Sequence, residues 1–310
     1  MARLNEGRVA IITGAGRGIG REHALMLASQ GAKIVVNDLG GDAAGEGADA
    51  TPAQEVVAEI EAMGGEAVVN GSNVADFAAA GEMIQQAVDT FGGLDIVINN
   101  AGILRDRMIF SMSEDDWDSV INVHLKGTFG PAHHAAVYWR ERSKAGEEND
   151  ARIINTASPS GIYGNVGQSN YGAAKAGIAA FTQITAMELV KYGVTVNCIA
   201  PGAYTRMTAN LPGFAQMDEE QQEKMGPRWI ANAVSWIASP EASGVTGRVF
   251  DIVGQRIGIA EGWHLGPHAT QSEDASDLKP IVAQLMADAR LNADMSGNDA
   301  EGPGRPAKTI

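Results

Sequence analysis

RVAIIT (residues 8–13) runs straight into TGAGRGIG (13–20), and a helical pattern continues to about residue 30. A short β-rich apolar run, a glycine turn and a helix together open a βαβ unit. Glycines let the backbone approach a pyrophosphate closely. The helix that follows offers free N–H groups and the positive end of its dipole. In this setting TGAGRGIG predicts a phosphate-binding turn. Out of it, the same letters would be a glycine-rich turn and nothing more.

Outward from this unit the rhythm repeats. Strands are expected at KIVVN (33–37), EAVVN (66–70), LDIVIN (94–99), RIINTA (152–157), VTVNCIA (194–200) and GRVFDIV (247–253). Helical patterns separate them at 52–63, 76–91, 116–142, 170–192 and 227–238. Strands alternating with longer helices predict an α/β fold. The expected form is a single doubly wound, Rossmann-type domain over 1–261, with a seven-stranded parallel sheet flanked by helices. Residues 262–310 break the rhythm. DLKPIVAQLMADARL (277–291) is expected to form one amphipathic helix, and SGNDAEGPGRPAKTI (296–310) to be disordered. This extension either covers a neighbouring subunit or the mouth of a site, or is a loosely docked tail.

Composition narrows the partners. The chain has 310 residues, is 45% hydrophobic and carries a formal net charge of -15. That charge argues against nucleic acid and anionic membranes. Cys198 is the only cysteine and lies in an apolar run, which points to a reducing compartment without disulfides. The N-terminal residues lack an apolar signal core, and no stretch reaches the length of a membrane span. A cytoplasmic protein is expected. The six histidines lack metal-ligand spacing, so no metal site is expected.

Other strand ends carry chemistry. Asp38 follows the second strand, where a carboxylate accepts hydrogen bonds from both ribose hydroxyls and repels a 2′-phosphate. NAD is therefore favoured over NADP, although Arg17 in the glycine turn could meet a 2′-phosphate. NNAG (99–102) and Pro201–Gly202 put small residues at sheet ends, where a ligand can lie across the edge. In YGAAK (171–175), Tyr171 and Lys175 share one helix face, one turn apart. A nearby ammonium favours the phenolate, so Tyr171 could exchange a proton with an alcohol or carbonyl at neutral pH. Ser158 supplies a hydroxyl for the same oxygen.

TGAGRGIG, NNAG, Ser158, YGAAK and PG occur in this order, each at a strand end or helix start. Together they resemble the short-chain dehydrogenase/reductase family over residues 7–255. VVNDLGGD (35–42), NNAGILRDR (99–107), EDDWD (114–118), VHLKGTF (123–129), SGIYGNVGQSNYGAAK (160–175) and RMT (206–208) are similar to one branch. That branch is the (3R)-hydroxyacyl-CoA dehydrogenase part of peroxisomal multifunctional enzyme type 2, with its bacterial relatives.

The resemblance implies that Gly14, Gly18 and Gly20 form the dinucleotide turn, with Ile19 beside the pyrophosphate. Asn73 and Val74 would flank the adenine. Asn100, Ala101 and Gly102 would pack near ribose and adenine. Tyr171 would be the acid/base, Lys175 would lower its pKa and bind the nicotinamide ribose, and Ser158 would orient the substrate oxygen. His124 stands where many members carry a relay Asn. It either supports a water relay to Lys175 or is structural. Arg206 stands where many members have a Thr against the nicotinamide.

The implied substrate is a (3R)-hydroxyacyl-CoA, fatty or sterol-derived. Arg105 and Arg107 either meet the CoA phosphates or are ordinary loop arginines. Ile162, Tyr163, Tyr204, Met207 and Leu211 are candidates for an apolar pocket. The rivals are a hydroxysteroid dehydrogenase, an NADPH-dependent 3-oxoacyl-carrier-protein reductase, and a dinucleotide-binding regulator without turnover. A homo-oligomer, dimer or tetramer, is expected through the helices at 116–142 and 170–192.

Overall fold

The computed structural model describes residues 3–205, 208–209 and 213–300. In chain order the elements are β1 (Val9–Thr13), α1 (Gly18–Ser29), β2 (Lys33–Asn37), α2 (Thr51–Ala62), β3 (Ala67–Asn70), α3 (Phe77–Phe91) and β4 (Ile96–Asn99). The second half continues with α4 (Glu114–Ile121), α5 (Gly127–Lys144), β5 (Ala151–Thr156), α6 (Pro159–Tyr163), α7 (Ser169–Leu189) and β6 (Val194–Gly202). It ends with α8 (Glu219–Lys224), α9 (Arg228–Ile237), β7 (Val249–Val253), β8 (Arg256–Ala260) and α10 (Leu278–Asp288).

The sheet order is β3-β2-β1-β4-β5-β6-β7-β8. β1, β4 and β5 are buried along their whole length, as parallel strands covered on both faces must be. α1, α2 and α9 cover one face around Ile12, Leu27, Ile34 and Ile230, and α3, α5 and α7 cover the other around Ile11, Met83, Val97 and Trp139. Each fully buried side chain of this size contributes about 1.5–3 kcal/mol. The buried indole of Trp139 donates to the Leu94 carbonyl at 2.7 Å, so no polar atom of the ring is stranded.

The chain order reverses between β1 and β4, which pair from Ala10↔Ile96 to Ile12↔Ile98. Just beyond that register the Thr13 hydroxyl accepts from the backbone N–H of Asn100 at 3.0 Å and of Ala101 at 3.1 Å. The two strand ends are thereby held level at the point where a crevice opens.

Two expectations need correction. The sheet has eight strands, not seven, and β8 is antiparallel to β7. The tight turn at Gly254–Gln255 pairs Val253 with Arg256, and β8 is largely exposed, so RIGIA lacks the apolar run that marks a buried strand. The helix expected over 116–142 is two helices, α4 and α5, joined by a π-helical turn at Asn122–Lys126. Pro131 lies in α5 without an N–H to give to the turn before it, which favours a widened turn nearby. α8 was not expected either. It carries a capping box, Asp218 with Gln221.

Beyond β8 the chain lies on the outside, and none of α10 is buried. Residues 293–299 form a tight turn closed by an Ala293–Asp299 bridge, and 301–310 lie outside the described residues.

Candidate active site

The glycine turn is shaped by neighbours that leave no room for a side chain. A Cβ on Gly20 would lie 2.1 Å from the Gly14 carbonyl oxygen, and one on Gly14 would lie 2.8 Å from Ala101 Cα. The Asn100 amide fastens the turn from the side, donating to the carbonyls of Thr13 at 3.0 Å and Gly14 at 3.2 Å. No side chain caps the N-terminus of α1, so its first N–H groups are free for an anion.

Asp38 stands at the end of β2, between two backbone donors. Its carboxylate accepts from Gly16 N–H and from Gly40 N–H, both at 2.7 Å. Those bonds fix its direction and leave lone pairs for further donors. Arg17 points its guanidinium to the Gly41 carbonyl, 3.3 Å away.

These residues wall a cavity of about 320 Å³. Gly14, Arg17, Gly18, Ile19, Gly20 and Asp38 line one end, followed by Asn73, Val74, Asn100, Ala101 and Gly102. His124, Tyr171, Lys175, Pro201 and Gly202 line the other. The free helix end, the glycines that admit no Cβ and the oriented carboxylate fit a dinucleotide.

Ser158 is not part of that wall but sits beside it. It is buried, and its hydroxyl oxygen accepts from the Ser160 N–H at 3.2 Å as the cap of α6. The O–H is thereby left to donate, and Ser158 acts on the Tyr171 phenol. Burial pushes the Tyr171 phenol up to about 12, the Ser158 bond opposes the rise, and Asp106 adds to it. Lys175 is 3% exposed, and burial brings its ammonium down to about 8. It donates to the Thr156 carbonyl at 2.6 Å and lies 5.5 Å from the centre of the Tyr171 ring. The lowering expected from Lys175 is not found: burial sets the direction, and Ser158 is the group that opposes it. The ammonium is anchored on Thr156, a partner that the spacing of Tyr171 and Lys175 could not reveal.

His124 sits in the middle of the π-helical turn. Its Nε2 lies 2.8 Å from the Ile103 carbonyl oxygen and 3.1 Å from the Ile103 nitrogen. The ring stands at 90° to Tyr171, 5.1 Å between centres. Burial, with Lys175 nearby, brings its pKa down to about 3, so the imidazole is neutral. Gly102 makes room for it, since a Cβ there would meet His124 Cε1 at 2.4 Å.

The residues considered for substrate are less converged. Arg105 is ion-paired with Asp115 and donates to the Ala44 carbonyl, while Arg107 is exposed. Tyr163 donates to Asp251 at 2.8 Å, and Tyr204 stacks on Phe214. Ile162 is half-buried. Arg206, Met207 and Leu211 lie outside the described residues. Cavity walls not anticipated from sequence include Ile103, Leu104, Thr156, Ala157 and Thr205. They are ordinary residues whose only signal is their place at strand ends. Among the described residues, no cluster of His, Cys, Asp or Glu could hold a metal, and no helix is long and apolar enough to cross a membrane.

Known proteins are similar to this chain in sequence and in fold. The short chain dehydrogenase family pattern matches residues 8–214. Hydroxyacyl-CoA dehydrogenase ChsB1 of Mycobacterium tuberculosis is 44% identical over 90% of this chain and 87% of its own. Peroxisomal multifunctional enzyme type 2 of Mus musculus is 43% identical over 82% of this chain, which spans only 32% of that protein. A short chain dehydrogenase structure from Mycobacterium avium superposes with a TM-score of 0.83 at 50% identity, covering 93% of this chain and 97% of its own. A Burkholderia cenocepacia short chain dehydrogenase structure in complex with NADP gives 0.69 at 32% identity, over 81% of this chain and 98% of its own. A glycine turn at the sheet reversal, a half-buried Tyr171 and a buried Lys175 near Ser158, and relatives matched over most of the chain lead to one conclusion: the chain belongs to the short chain dehydrogenase family, oxidoreductases that use a nicotinamide dinucleotide.

Proposed function

We propose that the chain oxidises a (3R)-3-hydroxyacyl-CoA to the 3-oxoacyl-CoA, with NAD as its cofactor. The observation that carries this reading is that Tyr171 and Lys175 line the glycine-turn cavity, with Ser158 beside that wall. Gly14, Gly18 and Gly20 would hold the pyrophosphate, Asp38 the adenosine ribose, and Lys175 the nicotinamide ribose. Bound there, the dinucleotide supplies the hydride acceptor and, in its oxidised form, a positive charge. Tyr171 takes the hydroxyl proton as the same carbon gives up its hydride and the C–O bond becomes a carbonyl. Ser158 donates its O–H to the substrate oxygen. The positive charge opposes the burial that raises the Tyr171 phenol, so proton transfer falls within reach of neutral pH.

NAD rests on Asp38. A carboxylate oriented by Gly16 and Gly40 is a poor neighbour for a 2′-phosphate, and Arg17 is turned to Gly41. The acyl-CoA substrate is supported by the name of one relative, hydroxyacyl-CoA dehydrogenase ChsB1 of Mycobacterium tuberculosis. The test is an NADH-formation assay with (3R)- and (3S)-3-hydroxyacyl-CoA and a 17β-hydroxysteroid, run with NAD and NADP in parallel. Turnover of the (3R) thioester with NAD is expected. Turnover confined to NADP, or to the steroid, would overturn the reading.

We also propose a homo-oligomer assembled through α5 and α7, which expose Phe129, Val137, Ile184 and Met187. Light scattering is expected to give at least twice the 32.4 kDa chain mass, and a monomer at micromolar concentration would contradict it. The buried free thiol of Cys198 suits a reducing compartment, and we place the reaction in the cytoplasm.

A further inference from the structure

Asn170 directly precedes Tyr171 and has no accessible surface. It lies in the first turn of α7, whose capping residue, Gln168, places no side-chain acceptor on the free N–H groups there. Asn170 supplies one: its Oδ1 accepts from the Tyr171 N–H at 2.7 Å. Its amide nitrogen donates twice, to the Arg105 carbonyl and to the Asp116 carbonyl, each at 3.0 Å. One side chain therefore joins three segments: the loop after β4, the first turn of α4, and the turn that carries the phenol.

Two further bonds close the same seam. The Arg107 N–H donates to the Gly167 carbonyl at 2.9 Å, and Gln168 Nε2 donates to Asp106 Oδ2 at 2.8 Å. The loop held in this way reaches the cavity, since Ile103 and Leu104 line it together with Tyr171. The chemistry at position 170 is narrow. An aspartate would face two carbonyl oxygens without a donor. A leucine would deprive the Tyr171 N–H and the Arg105 and Asp116 carbonyls of a side-chain hydrogen bond at this part-buried seam.

We infer that Asn170 is a positioning residue for the oxidation, fixing Tyr171 and the 103–107 loop as one rigid wall of the site. The inference rests on Tyr171 being the acid/base of the proposed reaction. Asn170 does not line the cavity, so it acts through the placement of the phenol.

The test uses the full chain carrying Asn170→Ala or Asn170→Asp, with (3R)-3-hydroxyoctanoyl-CoA and NAD. NADH titration by fluorescence counts the folded sites, so that kcat is expressed per intact site. For Asn170→Ala, kcat per site is expected to fall ~10- to 100-fold, the effect of misplacing a reacting group by a fraction of an ångström to about one, with NADH affinity unchanged. For Asn170→Asp, the rising limb of kcat against pH is expected at higher pH than for Asn170→Ala, because a carboxylate one residue from Tyr171 adds negative charge that disfavours the phenolate. Wild-type kcat per site in both variants would overturn the inference, as would a fall in kcat matched by an equal loss of NADH affinity. Tyr171→Phe is assayed in parallel. If it turns over at the wild-type rate, the acid/base reading itself fails. If it is inactive while Asn170→Ala keeps full kcat, only the role of Asn170 fails.

Discussion

Tyr171 and Lys175 share a helix face because four residues make about one turn, and that much is legible in YGAAK. Their electrostatics are not legible there. The phenol is raised to about 12 by burial, and burial comes from segments distant in sequence, as does the Thr156 carbonyl that holds Lys175. His23 teaches the same lesson away from the site. It is fully buried in α1, neither ring nitrogen has a hydrogen-bond partner among the described residues, and burial brings its pKa down to about 3. Between pH 6.5 and 3 the unfolded chain binds a proton there that the folded chain refuses. This group therefore leaves stability intact above pH 6.5 and removes it as pH falls through that window. At pH 4.5 the loss amounts to about 3 kcal/mol. Urea unfolding of His23→Met at pH 7 and pH 4.5 is expected to show a smaller drop between the two than the wild type. An equal drop would mean that His23 titrates freely in the fold.

At the scale of elements, the glycine turn, the helix start at Gly18 and the strand ends are readable because turns and periodicity are local. The π-helical turn at Asn122–Lys126 is not, because NVHLK carries no local signal for a widened turn, and the space opposite His124 is left by Gly102, distant in sequence. That space gives a sharp test. In Gly102→Ala the new methyl would collide with a His124 ring held by Ile103. Overpacking of this kind costs about 1–3 kcal/mol. A lowered Tm and weaker NADH binding are expected together, since Gly102 and His124 both line the cavity. Unchanged values for both would show that the ring moves easily. β8 escaped the sequence reading for a different reason: an exposed edge strand has no need of an apolar run.

Across the whole molecule, the position of the site follows from topology. The strand order reverses between β1 and β4, and Thr13 fastens the two ends where the crevice opens. β5, which ends in Thr156, and α7, which carries Tyr171 and Lys175, then meet the far end of the same cavity. The doubly wound fold was legible because seven strands alternate with helices. The course of residues 261–300 over the outside was not, because a polar segment carries no pattern that says where it docks. The central claim is that Tyr171, set in this frame, moves the proton in a hydride transfer. Its most direct test is the turnover of (3R)-3-hydroxyoctanoyl-CoA with NAD by Tyr171→Phe, beside NADH binding by the same variant. The account predicts a kcat lower by about 10²–10⁴-fold with NADH affinity intact. Wild-type turnover in a variant that binds NADH normally would contradict it.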